Sequence, residues 1–260
     1  MALTNKLQAI ADAIRKKTGK TDTLTLDAMV TEIEGMSGGG SGALVFDDDG
    51  NVTGSISAVP DYYFYRTPSD TSAAIGLAIK TLKLDKAETV GNSAFNYCSS
   101  LTSIDLPACT TVGTYGFKGS VFRSLYLPAC TSVGASAFHY LSQLQTVNLP
   151  KLTVIPDKGG ISSNVYGCFA SSGIKSIDLG VCTRVGTYAF YYCKSLTAVI
   201  LRSETMATLA STDAFKDSTI SAGTGYIYVP DALVDSYKTA TNWVTYADQI
   251  KPLSELPTEA

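Results

Sequence analysis

The feature that most constrains this chain is a phrase that it spells several times. "TVGNSAFNYCSSLTSIDLPAC" begins at Thr89, and "RVGTYAFYYCKSLTAVILRSE" begins at Arg184. Close relatives of both stand between them. The phenylalanine of the phrase falls at Phe95, Phe117, Phe138, Phe169, Phe190 and Phe215. The residue closing its extended part falls at Leu84, Leu106, Leu127, Leu149, Leu179, Leu201 and Val229. Spacings are 21 or 22 residues except at two insertions, one at "PDKGGISSNVYG" and one around 202–226. A unit this short cannot bury its apolar residues alone. Copies must stack and bury them against their neighbours, which predicts a repeat solenoid.

One copy explains its own spelling. In "LTSIDLPAC", Leu101, Ile104 and Leu106 are expected inward, with Ser103 and Asp105 alternating outward as a strand requires. Pro107 closes the strand because it cannot donate to a continuing ladder. Gly91, Gly113, Gly134 and Gly186 are expected to make the tight turn before the Phe enters the core. The recurring VGxxAFxxCxxLxxIxLP over residues 80–229 resembles the leucine-rich repeat of bacterial surface-antigen (BspA-like) type. That resemblance implies a β-rich, right-handed superhelical solenoid with short helical and turn segments, binding on its concave strand face. The closing "IYVPDALVDSYKTATNWVTYADQIKPL" resembles the helical cap that follows such repeats, so 230–260 is expected to be a C-terminal helical cap. Pro230 suits a first helical turn, and Leu233, Val234, Tyr237, Trp243 and Ile250 can cover the last open coil.

Residues 1–36 read differently. Leu3, Leu7, Ile10 and Ile14 make one helical stripe, ended by Thr18-Gly19. Leu26, Met29, Val30, Ile33 and Met36 make a second. The first carries Lys6, Arg15, Lys16, Lys17 and Lys20 against Asp12; the second carries Asp22, Asp27, Glu32 and Glu34. Opposite charge favours an antiparallel helical hairpin, although exposed pairs contribute only about 0–1 kcal/mol each. Two helices this short bury little core, so Leu3, Leu7, Ile10, Ile14, Leu26, Met29, Val30 and Ile33 are expected to pack on copies of the chain or on a partner. "LQAIADAIRKKTGKTDTLTLDAMVTEIEGM" resembles segments that open tail and structural proteins of phages and prophages of Gram-positive gut bacteria. This implies a virion component as that partner. SGGGSG at 37–42 is a flexible linker. Residues 43–79 form the N-terminal region of the solenoid, opening with a hairpin that turns at Asp49-Gly50. The acidic run there is not an EF-hand loop: from Asp47, the sixth and twelfth positions are Val52 and Ala58 instead of Gly and Glu.

Composition narrows the chemistry. A net charge of -3 suggests neither a nucleic-acid partner nor an anionic membrane. No run of ~18 apolar residues and no apolar signal core stands in the chain, so we expect no membrane insertion and synthesis in the bacterial cytoplasm without a signal peptide. The phage resemblance implies that it is then virion-associated. The single histidine, His139, sits at the position taken elsewhere by Asn96, Lys118 and Tyr191, and is expected to be a surface repeat residue. No catalytic residue is expected, nor any cofactor or metal site. Cys109, Cys130 and Cys182 share one repeat position and Cys98 and Cys193 another, as buried thiols would.

Binding is expected on the outward strand column Lys83, Asp105, Tyr126, Asn148, Asp178, Ile200, Tyr228, whose identity changes from copy to copy. Lys83, Asp105, Tyr126, Asn148, Asp178 and Tyr228 are the candidate ligand-binding residues. A rival surface is the turn tyrosines Tyr97, Tyr115, Tyr140, Tyr188, Tyr191 and Tyr192, with Tyr62, Tyr63 and Tyr65. Tyrosine offers rigid amphipathic contact area at low entropic cost. The function expected is non-enzymatic recognition of a bacterial surface glycan or protein by a (pro)phage tail protein. A cell-surface adhesin is the alternative. A glycan-active enzyme is disfavoured, because Asp105 and Asp178 stand about three coils, roughly 14 Å, apart.

Overall fold

The computed structural model describes residues 44–47, 49–64, 79–159 and 166–258. The predicted helical hairpin of residues 1–36 and the linker 37–42 lie outside the described residues.

Two rows of parallel strands run through the molecule. The longer strands are β2 (Asn51–Gly54), β4 (Thr81–Leu84), β6 (Ser103–Asp105), β8 (Ser124–Tyr126), β10 (Thr146–Asn148), β12 (Ser176–Asp178), β14 (Ala198–Ile200) and β16 (Tyr226–Val229). The shorter ones are β3 (Ala58–Val59), β5 (Thr89–Val90), β7 (Thr111–Val112), β9 (Ser132–Val133), β11 (Val154–Ile155), β13 (Arg184–Val185) and β15 (Thr208–Leu209). Strands pair in parallel with the equivalent strand one copy along, except between β6 and β8 and between β9 and β11, where each row breaks into two sheets: Val147 stands beside Leu125 and Ile177, and Val90 beside Val112. β1 (Leu44–Phe46) returns antiparallel on β2 as the expected hairpin, with Gly50 N donating to Asp47 O. Because β2 pairs in parallel with β4, the coil stack reaches back to Asn51.

A third side of each coil is also hydrogen-bonded to its neighbour, although it is built of turns. Ser93, Phe95 and Tyr97 donate their N–H groups to the carbonyls of Thr114, Gly116 and Lys118, while Ala94, Asn96 and Cys98 close three-residue turns within the coil. The alternation needs a left-handed residue at about every fourth position. Tyr62, Ser93, Tyr97, Tyr115, Ser136, Tyr140, Ser171, Tyr188, Tyr192 and Asp217 all have φ near +57°. Each such non-glycine residue costs on the order of 1–2 kcal/mol in local conformation. The ladder offsets it by giving the N–H groups of Ser93, Phe95 and Tyr97, and their equivalents along the stack, carbonyl partners in the next coil.

The core is a column of phenylalanines. Phe64, Phe95, Phe117, Phe138, Phe169, Phe190 and Phe215 stack near-parallel, with centroids 5.0–6.1 Å apart and planes within 3–23°. All seven are buried. Gly91, Gly113, Gly134 and Gly186 open the turns expected of them, their carbonyls accepting from the N–H groups of Ala94, Gly116, Ala137 and Ala189, and they do so without positive φ. They allow coils to approach: a Cβ on Gly134 would meet Thr114 N at 2.4 Å, and one on Gly113 would meet Asn92 N at 2.7 Å.

The C-terminal end, where a helical cap is expected, is helical in part and ends in a strand. One helix, α1 (Val234–Thr239), and short three-ten turns at Asp231–Leu233 and Trp243–Gln249 lead into β17 (Ile250–Pro252), which extends the long-strand sheet alongside β16. Side chains here do the work of a missing next coil. Ala207 N donates to the Tyr237 hydroxyl at 2.7 Å, Trp243 Nε1 donates to Ala207 O at 2.8 Å, and Asn242 Nδ2 donates to Leu209 O at 2.8 Å. Tyr246 donates its hydroxyl to Thr212 O and sets its ring edge-on to Phe215. The end of the short-strand sheet is thereby closed against further pairing. No helix among the described residues is long and apolar enough to cross a membrane.

Candidate recognition surfaces

The long-strand face has two outward rows. One is Thr81, Ser103, Ser124, Thr146, Ser176, Ala198, Tyr226; the other is the expected column Lys83, Asp105, Tyr126, Asn148, Asp178, Ile200, Tyr228. Lys83 lies opposite Asp105, 3.7 Å from its carboxylate, and Asn148 lies between Tyr126 and Asp178. β6 and β8 belong to separate sheets, so the column is in two pieces. Tyr126 is open, at 60% exposure. Asp178 is held by Arg202 at 2.6 Å.

Tyr228 does not belong to an accessible column. It is 6% exposed and packs with Ala198 and Ile200 under Leu253 and Leu256 of the C-terminal tail. Burial, followed by the neighbouring Tyr226, raises its phenol pKa above the ordinary value. The sequence column is apolar at Ile200, and that was the available sign that its end would be covered.

The turn side carries a different chemistry. Lys118 sets its ammonium 5.4 Å from the Tyr97 ring centre and 4.9 Å from that of Tyr115. Burial lowers its pKa and raises that of Tyr115. Lys158 lies over Tyr188 at 4.7 Å and Lys194 over Tyr192 at 4.6 Å. Tyr166 and Tyr191 stack at 6.2 Å, with Tyr188 edge-on to Tyr191. Tyr62 and Tyr140 are each 55% exposed and Tyr192 is 51% exposed. Tyr65, the remaining member of the expected set, lies outside the described residues.

His139 is buried, not the surface residue expected, at 6% exposure. The first insertion supplies its cover: Tyr166 stacks on the imidazole at 4.5 Å and is pinned to Ser136 through its own backbone N–H and C=O. Burial, then the charge of Lys118, lowers the imidazole pKa to about 4, so it is neutral at pH 7. His139 Nδ1 and Asn96 Oδ1 are the two buried side-chain atoms without a hydrogen-bond partner among the described residues. The burial of His139 under Tyr166 is that of a packing residue.

The six cysteines are buried. Cys193 Sγ donates to Phe169 O of the preceding coil at 3.1 Å, and Cys182 Sγ to Arg184 O at 3.2 Å. Burial pushes the Cys109 thiol up to about 12 and the Cys130 and Cys193 thiols up to about 11, so none of these three is a ready nucleophile at neutral pH. The acidic turn folds on itself: Asp47 accepts from Asp49 N, Asn51 N and Asn51 Nδ2, which lowers its carboxyl pKa.

The repeat can now be compared with known proteins. Residues 57–159 and 153–227 match the BspA type leucine rich repeat region, in six copies. This chain belongs to the BspA type leucine rich repeat family. The BspA type repeats thus begin well before residue 80, in agreement with the pairing of β2 and β3 to the coils that follow. No curated protein matches the chain. Among solved structures, a leucine-rich repeat protein from Bacteroides ovatus is 17% identical, covers 72% of this chain and 69% of its own, and has a TM-score of 0.26. A leucine rich cell surface protein from Faecalibacterium prausnitzii is 13% identical, covers 82% of this chain and 93% of its own, and has a TM-score of 0.28.

Proposed function

We propose that this BspA type repeat protein is a non-enzymatic recognition module that binds a bacterial surface glycan or protein. The observation that carries the reading is the contrast within each coil. Inward positions return to Phe, Leu, Ile and Val, whereas the residues beside them on the outer face run Lys83, Asp105, Tyr126, Asn148, Asp178. One packing unit thereby presents a different side chain at each step of ~4.8 Å. Charge, amide and phenol in one column suit a polar partner surface better than a small apolar ligand. Asp105 and Asp178 are each occupied by a base, which counts against their use as an acid–base pair.

The carrier we propose is a (pro)phage tail or baseplate-associated protein, attached or self-associated through residues 1–36. Its support is the spelling of that segment: two apolar stripes of opposite charge ahead of a Gly/Ser linker. Light scattering on the full chain and on a chain starting at Ala43 tests the attachment. An oligomer that becomes monomeric on truncation supports it, and two monomers favour the cell-surface adhesin.

Recognition itself is tested by sedimenting the full chain with Gram-positive wall sacculi and with intact envelopes. Binding that falls on Tyr126→Ser or Asp105→Lys, with no sugar or peptide released, is the expected result. Released fragments would return the enzyme reading, and no binding to either preparation would overturn the proposal.

A further inference from the structure

We propose that the turn side of the stack is a second binding site, a ladder of tyrosine rings for an extended β-linked glycan bearing acidic groups. The inference rests on the recognition reading but uses another side of the coil.

The first observation concerns which side chain occupies a fixed backbone. The position two residues after each core Phe must adopt the left-handed conformation to keep the inter-coil ladder. Along the stack it is filled by Tyr97, Gly119, Tyr140, Ser171, Tyr192 and Asp217. Gly119 (φ +70°), Ser171 and Asp217 show that the ladder does not need tyrosine. A bulky ring is among the less favoured choices at positive φ. Its recurrence where a small residue serves equally well points away from folding as the reason for the ring.

The second observation is the period. Tyrosine and small residues alternate, so rings stand on every second coil. Phe138 to Phe169 and Phe169 to Phe190 are rises of 5.2 and 5.5 Å, which sets Tyr140 and Tyr192 roughly 10 Å apart along the stack, about two strand spacings. An extended β1,4-linked sugar chain advances about one coil rise per pyranose and turns successive rings over. Tyrosines on every second coil therefore meet the same sugar face each time; the Tyr97 ring itself lies against Gly119, where a Cβ would meet it at 2.6 Å, so the open pair is Tyr140 and Tyr192 with Ser171 between them. Over half of each of these two side chains is open to solvent.

The third observation is charge. Lys118, Lys158 and Lys194 each lie over a tyrosine of this side, and none of the three forms an ion pair among the described residues. Ammonium groups already held beside aromatic faces suit a ligand that brings carboxylate or phosphate together with a pyranose face.

Calorimetric titration of the full chain tests this with three probes: β1,4-glucuronan hexasaccharide (β1,4-linked, a carboxylate on every sugar), chitohexaose (β1,4-linked, neutral) and maltohexaose (α-linked). The expected order is acidic above neutral β-linked, with no binding of the α-linked chain. Tyr140→Gly and Tyr192→Gly are each expected to weaken binding about fivefold to tenfold, the scale of one aromatic contact. Both should leave Tm unchanged or higher, because Gly119 occupies the same position. Lys194→Gln should remove the preference for the acidic probe. Equal affinities for wild type and the double Gly variant, or equal binding of maltohexaose, would overturn the ladder. Wall sacculi separate this failure from that of the recognition reading. If protease-treated sacculi bind wild type and double variant alike, or if only untreated envelopes bind, the ladder falls and recognition stands. If neither preparation binds, both fall.

Discussion

The strand face and the turn side are built from the same coils and end with opposite properties. On the strand face the outward residues largely satisfy one another: Lys83 pairs with Asp105, Arg202 with Asp178, and Ala198, Ile200 and Tyr228 lie under the tail residues Leu253 and Leu256. On the turn side, tyrosines occupy strained backbone positions with over half of Tyr62, Tyr140 and Tyr192 in solvent, and lysines rest on rings without a carboxylate among the described residues. The difference teaches where side-chain identity is free. A strand's outward residue is tied to its cross-strand neighbours. In the turn ladder the backbone makes the inter-coil bonds, and the side chain at the left-handed position is left to other uses.

The change expected to damage both sides most is in what they share. Phe169→Ala removes the centre of the ring column and should cost about 3–5 kcal/mol, read by chemical unfolding. Because coils stabilise only their neighbours, a second transition should appear as the two halves uncouple. If both faces survive with one unshifted transition, the column is not their common support.

Acid should act on the turn side first. His139 is held neutral with a pKa of about 4 against an ordinary 6.5, so the unfolded chain binds its proton more readily. The associated stability is complete above about pH 6.5, falls as pH drops toward 4, and totals ~3 kcal/mol at most. His139→Asn, which installs the residue found at Asn96, should flatten Tm across that window. An unchanged acid slope in the variant would place the titration elsewhere.

At the C-terminal end, Trp243→Phe keeps an aromatic ring, though a smaller one, and removes the indole donor to Ala207 O. Leaving that carbonyl unpaired should cost about 1–3 kcal/mol, seen as early exchange of the amides of Ala207 and its neighbours. A uniform loss of protection would mean that the end does not fray on its own. The smallest effects belong to the exposed positions. Lys83→Gln should change stability by less than about 1 kcal/mol and only at low salt. Tyr140→Gly should be neutral or slightly stabilising, and a loss above about 1 kcal/mol would show that its ring is needed for folding.

Much of this architecture was legible in the sequence because it is written by period. The spacing of Phe95, Phe117 and Phe138 announces the ring column, and the alternation in "LTSIDLPAC" announces which residues face out. What was missed lies where the period breaks or where backbone and side chain part company. His139 reads as a surface residue until the insertion brings Tyr166 over it, a contact between residues with no pattern in common. Tyr228 reads as one more outward tyrosine, and only the path of the tail buries it. The left-handed positions carry Tyr, Ser and Asp where Gly or Asn would have advertised them, so the turn ladder had no compositional signature. The glycines open the turns that the sequence announces, and they also let neighbouring coils approach, a constraint set by the adjoining copy that one unit's spelling does not show.

Which side of the coil takes the sugar is read most directly by an NMR titration of the full chain, with tyrosine rings 13C-labelled, against β1,4-glucuronan hexasaccharide. The account predicts that the Tyr140 and Tyr192 ring signals move together with one saturation curve, while those of Tyr126 and Tyr226 on the strand face stay still. Shifts centred on Tyr126, with Tyr140 and Tyr192 unmoved, would contradict it and return glycan binding to the strand face.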